Sequence, residues 1–189
     1  MDQLFKIQWP SPKSKYYLLY SSIDKATGHK YSDDLFKNAV IIDIKNELII
    51  EKSWGKNFAD FHHGIGDAPY INENFIECLK NVGEKNYQLI PVSVLPEEKT
   101  YYILNILNMI DCVDREKSKF TLWTEEDNRP DILGDYHSFD EMILDRKLVP
   151  EGVHIFRLKG YEVITVITKE LLNEFKKKKI TGFTTKPVG

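Results

Sequence analysis

The stretch 153–188 carries the pattern that most restricts how this chain can fold. The run Val153–Leu158 is typical of a strand, with His154, Phe156 and Leu158 opposite Val153, Ile155 and Arg157, and Lys159-Gly160 follows as a turn signal. A second β-branched run, Tyr161–Ile167, comes directly after that turn. Two such runs joined by a short glycine-containing turn predict an antiparallel β-hairpin.

A helix and a return strand are predicted after the hairpin. Thr168 precedes the amphipathic run 169–179, whose end carries four lysines. A threonine suits the N-cap, and lysines are favourable at a helix C-terminus, so the helix should span Thr168–Lys179. Gly182 then permits the chain to turn into a strand at Phe183–Val188. The resulting hairpin, helix and strand unit requires a sheet with a helix packed against it.

The rest of the chain predicts more strands and one further helix. Proline cannot donate to a β-ladder, so Pro91 predicts an edge or irregular strand at Asn86–Leu95. Lys45-Asn46 predicts a hairpin between its two flanking runs. The predicted strands lie at 4–8, 16–20, 39–44, 47–52, 86–95, from about 101, 119–124 and 139–144, and the helix lies at 72–82.

These elements predict an α+β fold with mixed, mostly antiparallel sheets and a few helices packed on one side. Residues 1–86 form a β-rich N-terminal portion with one helix, and residues 87–189 form an α+β C-terminal portion. A chain of 189 residues also suits one continuous domain. The sequence does not decide between two portions and one continuous domain.

Polar residues recur at every third position within the apolar run Tyr101–Ser118. They are Asn105, Asn108, Asp111 and Asp114. Buried polar groups need hydrogen-bond partners, so the run predicts either a polar network inside the core or the edge of a site. We predict a strand from about Tyr101 that becomes irregular or helical near Asn108 and reaches Arg115. The predicted structural network comprises Asn105, Asp111, Asp114 and Arg157.

Charge is unevenly distributed along the chain. The stretch 111–145 has a net charge of −7 and the stretch 146–189 has +6, although the whole chain is only −3. A chain that is acidic overall disfavours nucleic acid as a partner. The acidic middle is able to attract a basic protein, or it is neutralised by the basic tail within the fold.

Catalytic motifs, metal-ligand spacings and membrane signals are all missing from the sequence. Cys78 and Cys112 lie far apart and predict two buried thiols in a reducing cytoplasm. There is no signal-peptide pattern and no apolar run of about 20 residues. We therefore predict a cytoplasmic protein with no catalytic residue, no cofactor, no metal and no membrane contact.

An enzyme is the alternative interpretation. Asp111 and Asp114 would share one face of a helix and form an acid–base pair. His62 and His63, followed by Gly64, Gly66 and Asp67, would supply a third group or a metal ligand. Adjacent histidines on an extended backbone point in opposite directions, which disfavours a shared metal.

The C-terminal half resembles the immunity-protein domain of bacterial polymorphic toxin systems, a family first described from a myxobacterial protein. Three marks carry the resemblance over about residues 87–188. They are the LN-x-x-x-x-D-x-x-D-x-x-x-S run (Leu104, Asn105, Asp111, Asp114, Ser118), the IFRL strand Ile155–Leu158, and the TGF sequence Thr181–Phe183.

The resemblance implies a cytoplasmic, non-enzymatic protein that binds the C-terminal domain of a cognate toxin and covers its active site. It does not identify contact residues, and the sequence does not distinguish a monomer from a dimer. Aromatic anchors and charge complementarity favour the acidic loop as the binding surface, with the HHGIGDAPY loop second. The predicted contacts are Trp123, Glu125, Glu126, Asp127, Asp131, Asp135 and Tyr136.

Overall fold

The computed structural model describes residues 3–10, 15–64 and 68–188. Its two α-helices and its strands, in chain order, are β1 Leu4–Gln8, β2 Ile23–Asp24, β3 Leu48–Glu51, β4 Phe61–His63, β5 Pro69–Ile71, α1 Glu73–Asn81, β6 Tyr87–Leu95, β7 Lys99–Ile106, β8 Met109–Ile110, β9 Lys119–Leu122, β10 Tyr136–Glu141, β11 Ile155–Leu158, β12 Tyr161–Thr168, α2 Lys169–Lys178 and β13 Thr184–Pro187. Short 3-10 helices lie at Asp33–Lys37, Glu125–Asp127, Pro130–Ile132 and Arg146–Leu148.

These strands form three sheets. One has six strands in the order β2-β3-β6-β7-β5-β4, a second has five in the order β13-β1-β12-β11-β8, and β9 pairs with β10 in the third. Pairing is antiparallel except between β3 and β6 and between β11 and β8. The predicted α+β class, with mixed and mostly antiparallel sheets, is confirmed.

Both helices pack into one apolar core that joins the two large sheets. Phe75 of α1 and Phe175 of α2 lie in contact, with ring centroids 4.6 Å apart. The same core includes Ile106 from β7 and Ile167 from β12. Burial of these side chains, at about 25 cal/mol per Å² of apolar surface, is the main contribution to the stability of this region.

The predicted hairpin, helix and strand unit is confirmed. Strand β11 pairs antiparallel with β12, and β13 returns to pair with β1. The Thr168 hydroxyl accepts a hydrogen bond from the Leu171 backbone N–H, so Thr168 caps α2 as predicted. After α2, Gly182 has φ +108°, and a Cβ there would lie 1.8 Å from the Phe61 carbonyl oxygen. Only glycine therefore fits where the chain crosses β4.

The predicted hairpin at 39–52 is wrong. Residues 39–44 form no strand, and β3 pairs instead with β2 and, in parallel, with β6. The Gln88 side chain hydrogen-bonds the backbone of this segment: it accepts from the Ile42 N–H at 3.0 Å and donates to the Ile42 carbonyl at 2.7 Å. A side chain therefore takes the place of a β-ladder along these residues.

The predicted edge position of Pro91 is also wrong, because β6 lies inside the six-stranded sheet between β3 and β7. The register shows why proline is accepted there. Pairing with β3 begins at Val92, so Pro91 lies just before the start of that ladder. No hydrogen bond to β3 is required from the position that cannot donate one.

Near Asn108 the chain becomes irregular, the first of the two predicted alternatives, and does not form a helix. Strand β7 ends at Ile106, and β8 begins at Met109, after two irregular residues, and pairs with β11. The Asn108 side chain donates to the Ile155 carbonyl at 3.0 Å, and the Asn108 backbone carbonyl accepts from the Arg157 N–H at 2.9 Å. These long-range bonds fix an extended backbone and outweigh the local three-residue spacing.

Contacts cross the boundary predicted at residue 86. Strand β1 lies between β12 and β13, and the helix core contains residues from both portions. We propose that the two portions form one continuous domain.

Candidate partner-binding surface

The loop 123–135 between β9 and β10 is closed at its base by backbone hydrogen bonds. The Trp123 N–H donates to the Asp135 carbonyl at 2.9 Å, and the Gly134 N–H donates to the Trp123 carbonyl at 3.0 Å. We call this segment the acidic loop. Its closed base holds the two short 3-10 helices in a fixed position relative to the strands.

Two of its acids are bound within the loop. The Asp127 carboxylate accepts from the Thr124 N–H at 2.7 Å and from the Thr124 hydroxyl at 2.9 Å, which lowers its pKa. Arg129 donates two hydrogen bonds to Asp131, at 2.9 and 2.7 Å, and this pair lowers the pKa of Asp131. These two carboxylates therefore order the loop.

Two other acids of the loop are exposed and make no such bonds within the described residues. Glu125 and Glu126 are exposed, and neither side chain has an ion pair or hydrogen bond within the described part of the chain. Leu133 exposes 51% of its surface nearby. The loop therefore presents free negative charge together with an apolar side chain, which is the combination that a basic, partly apolar partner requires.

Trp123 and Tyr136 flank the loop in different ways. Trp123 is partly exposed, packs against His137 with ring centroids 4.2 Å apart, and has the Arg129 guanidinium 5.9 Å from its ring. Tyr136 is only 3% exposed and contacts Phe120 in the core. Trp123 is thus accessible at the surface, whereas Tyr136 supports the loop from below.

An open cleft of about 520 Å³ lies behind the acidic loop. Three parts of the chain form it: the loop itself, the turn between β11 and β12, and the 3-10 helix Asp33–Lys37. Its lining includes Asp34, Lys37, Trp123, Arg129, Asp131, Asp135, Tyr136, His137, Tyr161, Glu162 and Val163. Asp131 and Asp135 thus face this cleft, whereas Glu125 and Glu126 do not line it.

The residues of the predicted polar network lie in separate surroundings. Asn105 is fully buried and donates to the Val40 carbonyl at 2.7 Å. Arg157 is also fully buried and donates to the Glu162 carbonyl. Asp111 is exposed, and Asp114 bonds locally to Lys117. No hydrogen bond within the described residues joins these four to one another.

Glu84 instead connects the two portions of the chain. It is 4% exposed, and its carboxylate accepts from the His154 N–H at 2.7 Å and the Ile155 N–H at 3.2 Å. It also accepts from the backbone N–H groups of Lys85 and Asn86, both at 2.9 Å. Sequence reasoning missed Glu84, since a glutamate after a helix normally predicts solvent exposure.

The histidines of the enzyme interpretation do not meet its acids. His62 is buried, with Nδ1 2.7 Å from the Tyr17 carbonyl oxygen and Nε2 accepting from the Ala59 N–H at 3.0 Å. Burial lowers the pKa of His62 to about 4, so the ring is neutral at pH 7. No hydrogen bond or ion pair between described residues links either His62 or His63 to Asp111 or Asp114. Asp67 lies outside the described residues.

Neither a metal site nor a reactive thiol is found in the described ranges. No three His, Cys, Asp or Glu side chains there come together in a way that can hold a metal ion. Both cysteines are free and buried, as predicted. Burial, followed by the nearby Asp111 and Asp145, raises the pKa of Cys112 to about 12, which suppresses the thiolate.

The fold defines an α+β protein with an acidic surface loop. A family model described as Immunity protein family (Imm11) matches residues 93–189, just over half of the chain. The chain therefore belongs to the Imm11 immunity protein family, and membership implies an immunity function. The family resemblance read from the sequence is confirmed over nearly the same residues.

No curated protein shows a significant match to the chain. Neither α1 nor α2, within the described residues, has the length and apolar character that a bilayer crossing requires.

Proposed function

We propose that this protein binds the C-terminal toxin domain of a cognate bacterial polymorphic toxin and covers its active site. In this way it protects the producing cell from its own toxin and from that of its siblings. It acts in the cytoplasm and by binding alone, without a catalytic step. The family match supports the immunity role, and the acidic loop supports the mode of binding.

One observation carries the proposed mode of binding. Glu125 and Glu126 are adjacent and exposed, make no side-chain bond to any described residue, and lie on a loop whose backbone is already fixed. A preorganised loop loses little conformational entropy when a partner binds. Toxin domains that act on nucleic acid need a basic surface, because the phosphate backbone dominates their affinity for substrate. An acidic loop placed on that surface covers the same groups that the substrate uses.

The proposed contacts are Trp123, Glu125, Glu126, Asp131 and Asp135, with Leu133 added from the structure. Blocking a toxin domain takes an interface of about 800 Å² on each partner, so neighbouring surfaces also contribute. Within such an interface, a few anchors account for most of the binding energy. We expect Trp123 and Leu133 to supply apolar contact, and the glutamates to speed association.

The test is co-expression with the toxin domain encoded next to this gene. We expect the toxin domain alone to stop growth and the two proteins together to permit it. We also expect them to co-purify as a stable complex in which the toxin is inactive. If deletion of this gene leaves cells healthy beside an intact toxin, the proposed function is wrong.

A further inference from the structure

We propose that the cleft behind the acidic loop binds an arginine side chain of the toxin domain. This inference rests on the proposed function and gives that interface an anchor residue. It follows from the charge, the lining and the size of the cleft. We call this cleft the Asp135 cleft.

Ion pairs within the cleft leave two carboxylates unneutralised. Lys37 pairs with Asp34 at 3.0 Å, and Arg129 pairs with Asp131 at 2.7 Å. Both cations of the lining, apart from histidine, are therefore already matched. Asp135 and Glu162 have no ion-pair partner within the described residues, so the Asp135 cleft carries an excess of negative charge.

The two remaining carboxylates both lie against Gly160. The Glu162 carboxylate accepts from the Gly160 N–H at 2.8 Å. A Cβ at Gly160 would lie 3.0 Å from the Asp135 carboxylate oxygen Oδ1. Because glycine has no side chain there, the Asp135 carboxylate is able to approach the turn closely, and both carboxylates belong to the lining of the cleft. Two carboxylates held in one cleft favour a cationic occupant.

The aromatic lining favours arginine over lysine. Trp123 and Tyr161 both line the cleft, and the Trp123 ring already has the Arg129 guanidinium 5.9 Å from its centre. A planar guanidinium stacks on aromatic rings and donates in a fork to carboxylates, whereas an ammonium group offers only a point charge. The Asp135 cleft therefore provides both kinds of contact that an arginine uses.

A buried hydroxyl and a large volume are further features of the cleft region. Tyr136 lines the cleft, and its hydroxyl is buried without a hydrogen-bond partner among the described residues. Buried polar groups are normally paired, in protein or in complex. A guanidinium has five N–H donors, enough for more than one carboxylate of the cleft. The volume of about 520 Å³ is within the range of ligand sites and exceeds the need of one side chain.

The experiment uses the full chain and the probe N-acetyl-arginine methylamide. Titration is followed by the indole ¹H–¹⁵N signals of Trp9, Trp54 and Trp123. We expect a saturable shift of the Trp123 signal with millimolar affinity, weaker by about threefold for the lysine analogue. Asp135→Asn is expected to weaken binding about tenfold, because it removes a charged acceptor. The matched control Asp140→Asn, an exposed acid on β10 outside the cleft, should leave affinity unchanged.

Two results would overturn the inference: no saturable shift at Trp123, or equal affinity in the wild type and Asp135→Asn. Unchanged Trp9 and Trp54 signals establish that the variant is folded, and Glu162→Gln provides a second removal of charge. The probe contains no toxin, so failure here leaves the growth experiment unaffected. Conversely, failure of the growth experiment leaves the arginine titration interpretable.

Discussion

Glu84 and Glu125 are the same residue type in opposite surroundings. Glu84 is buried and accepts hydrogen bonds from four backbone N–H groups, whereas Glu125 is exposed with an uncommitted carboxylate. The comparison teaches that acids of this chain divide into those that hold the fold and those whose carboxylates are exposed to solvent. Burial and hydrogen bonds, rather than residue type or local charge, decide between the two roles.

The largest effect is expected at Glu84. Glu84→Ala leaves buried N–H groups of His154 and Ile155 unpaired, so we expect the free energy of unfolding to fall by about 4 kcal/mol. Urea unfolding measures this change. Glu98→Ala, at an exposed turn, should change stability by less than about 0.5 kcal/mol. Equal losses in the two variants would contradict the role assigned to Glu84.

The buried His62 should make the stability of the fold sensitive to acid. His62 has its pKa lowered to about 4, so the unfolded chain binds a proton first as pH falls. The contribution of neutral His62 to the free energy of unfolding is complete above about pH 6.5. It is lost as the pH falls from about 6.5 to 4, and the total loss is about 3 kcal/mol. Urea unfolding at pH 7.5, 6 and 5 measures the loss.

The control for this pH effect is a pair of histidine variants. His62→Gln should reduce the pH dependence in this window, whereas His137→Gln, an exposed substitution beside the acidic loop, should retain it. An unchanged dependence in His62→Gln would assign the effect to other groups.

Charge reversal on the acidic loop should affect binding rather than folding. We expect Glu125→Lys with Glu126→Lys to weaken toxin binding about 10- to 100-fold at low salt and to reduce its salt dependence. The free energy of unfolding should change by less than about 0.5 kcal/mol. Asp127 is left unchanged because its carboxylate caps the 3-10 helix through Thr124. Binding is measured by calorimetry at two salt concentrations.

The control reverses Glu98 and Glu151, two exposed acids outside the loop. Toxin affinity should then stay near the wild-type value. Lost stability with unchanged affinity in the loop variant would show that the interface lies elsewhere.

The sequence predicted structure best where neighbouring residues decide it. The hairpin, the Thr168 cap and the strand at β13 depend on turn and cap chemistry that is visible locally. Residues 39–44 were mispredicted, and the two alternatives at Asn108 stayed undecided, because the Gln88 side chain and the Ile155 carbonyl, which bond to them, are distant in sequence. Local pattern cannot reveal such partners.

The same limit applies to the candidate site. The run of acids at Glu125–Asp127 was visible in the sequence. The sequence did not show that Asp127 caps a 3-10 helix while Glu125 and Glu126 stay exposed. The cleft behind the loop was also hidden, because Asp34 comes from the opposite end of the chain and Gly160 from a hairpin turn. Such a site exists only after long-range pairing brings these elements together.

The position of β1 has a consequence for synthesis. Leu4 pairs with Thr168 and Phe5 with Pro187, so this early strand has no neighbour until β12 and β13 have left the ribosome. Contacts between residues so distant in sequence slow folding. A nascent or prematurely terminated chain exposes β1 and offers no completed sheet. The five-stranded sheet is therefore completed only after translation has passed β13, so folding should lag behind synthesis.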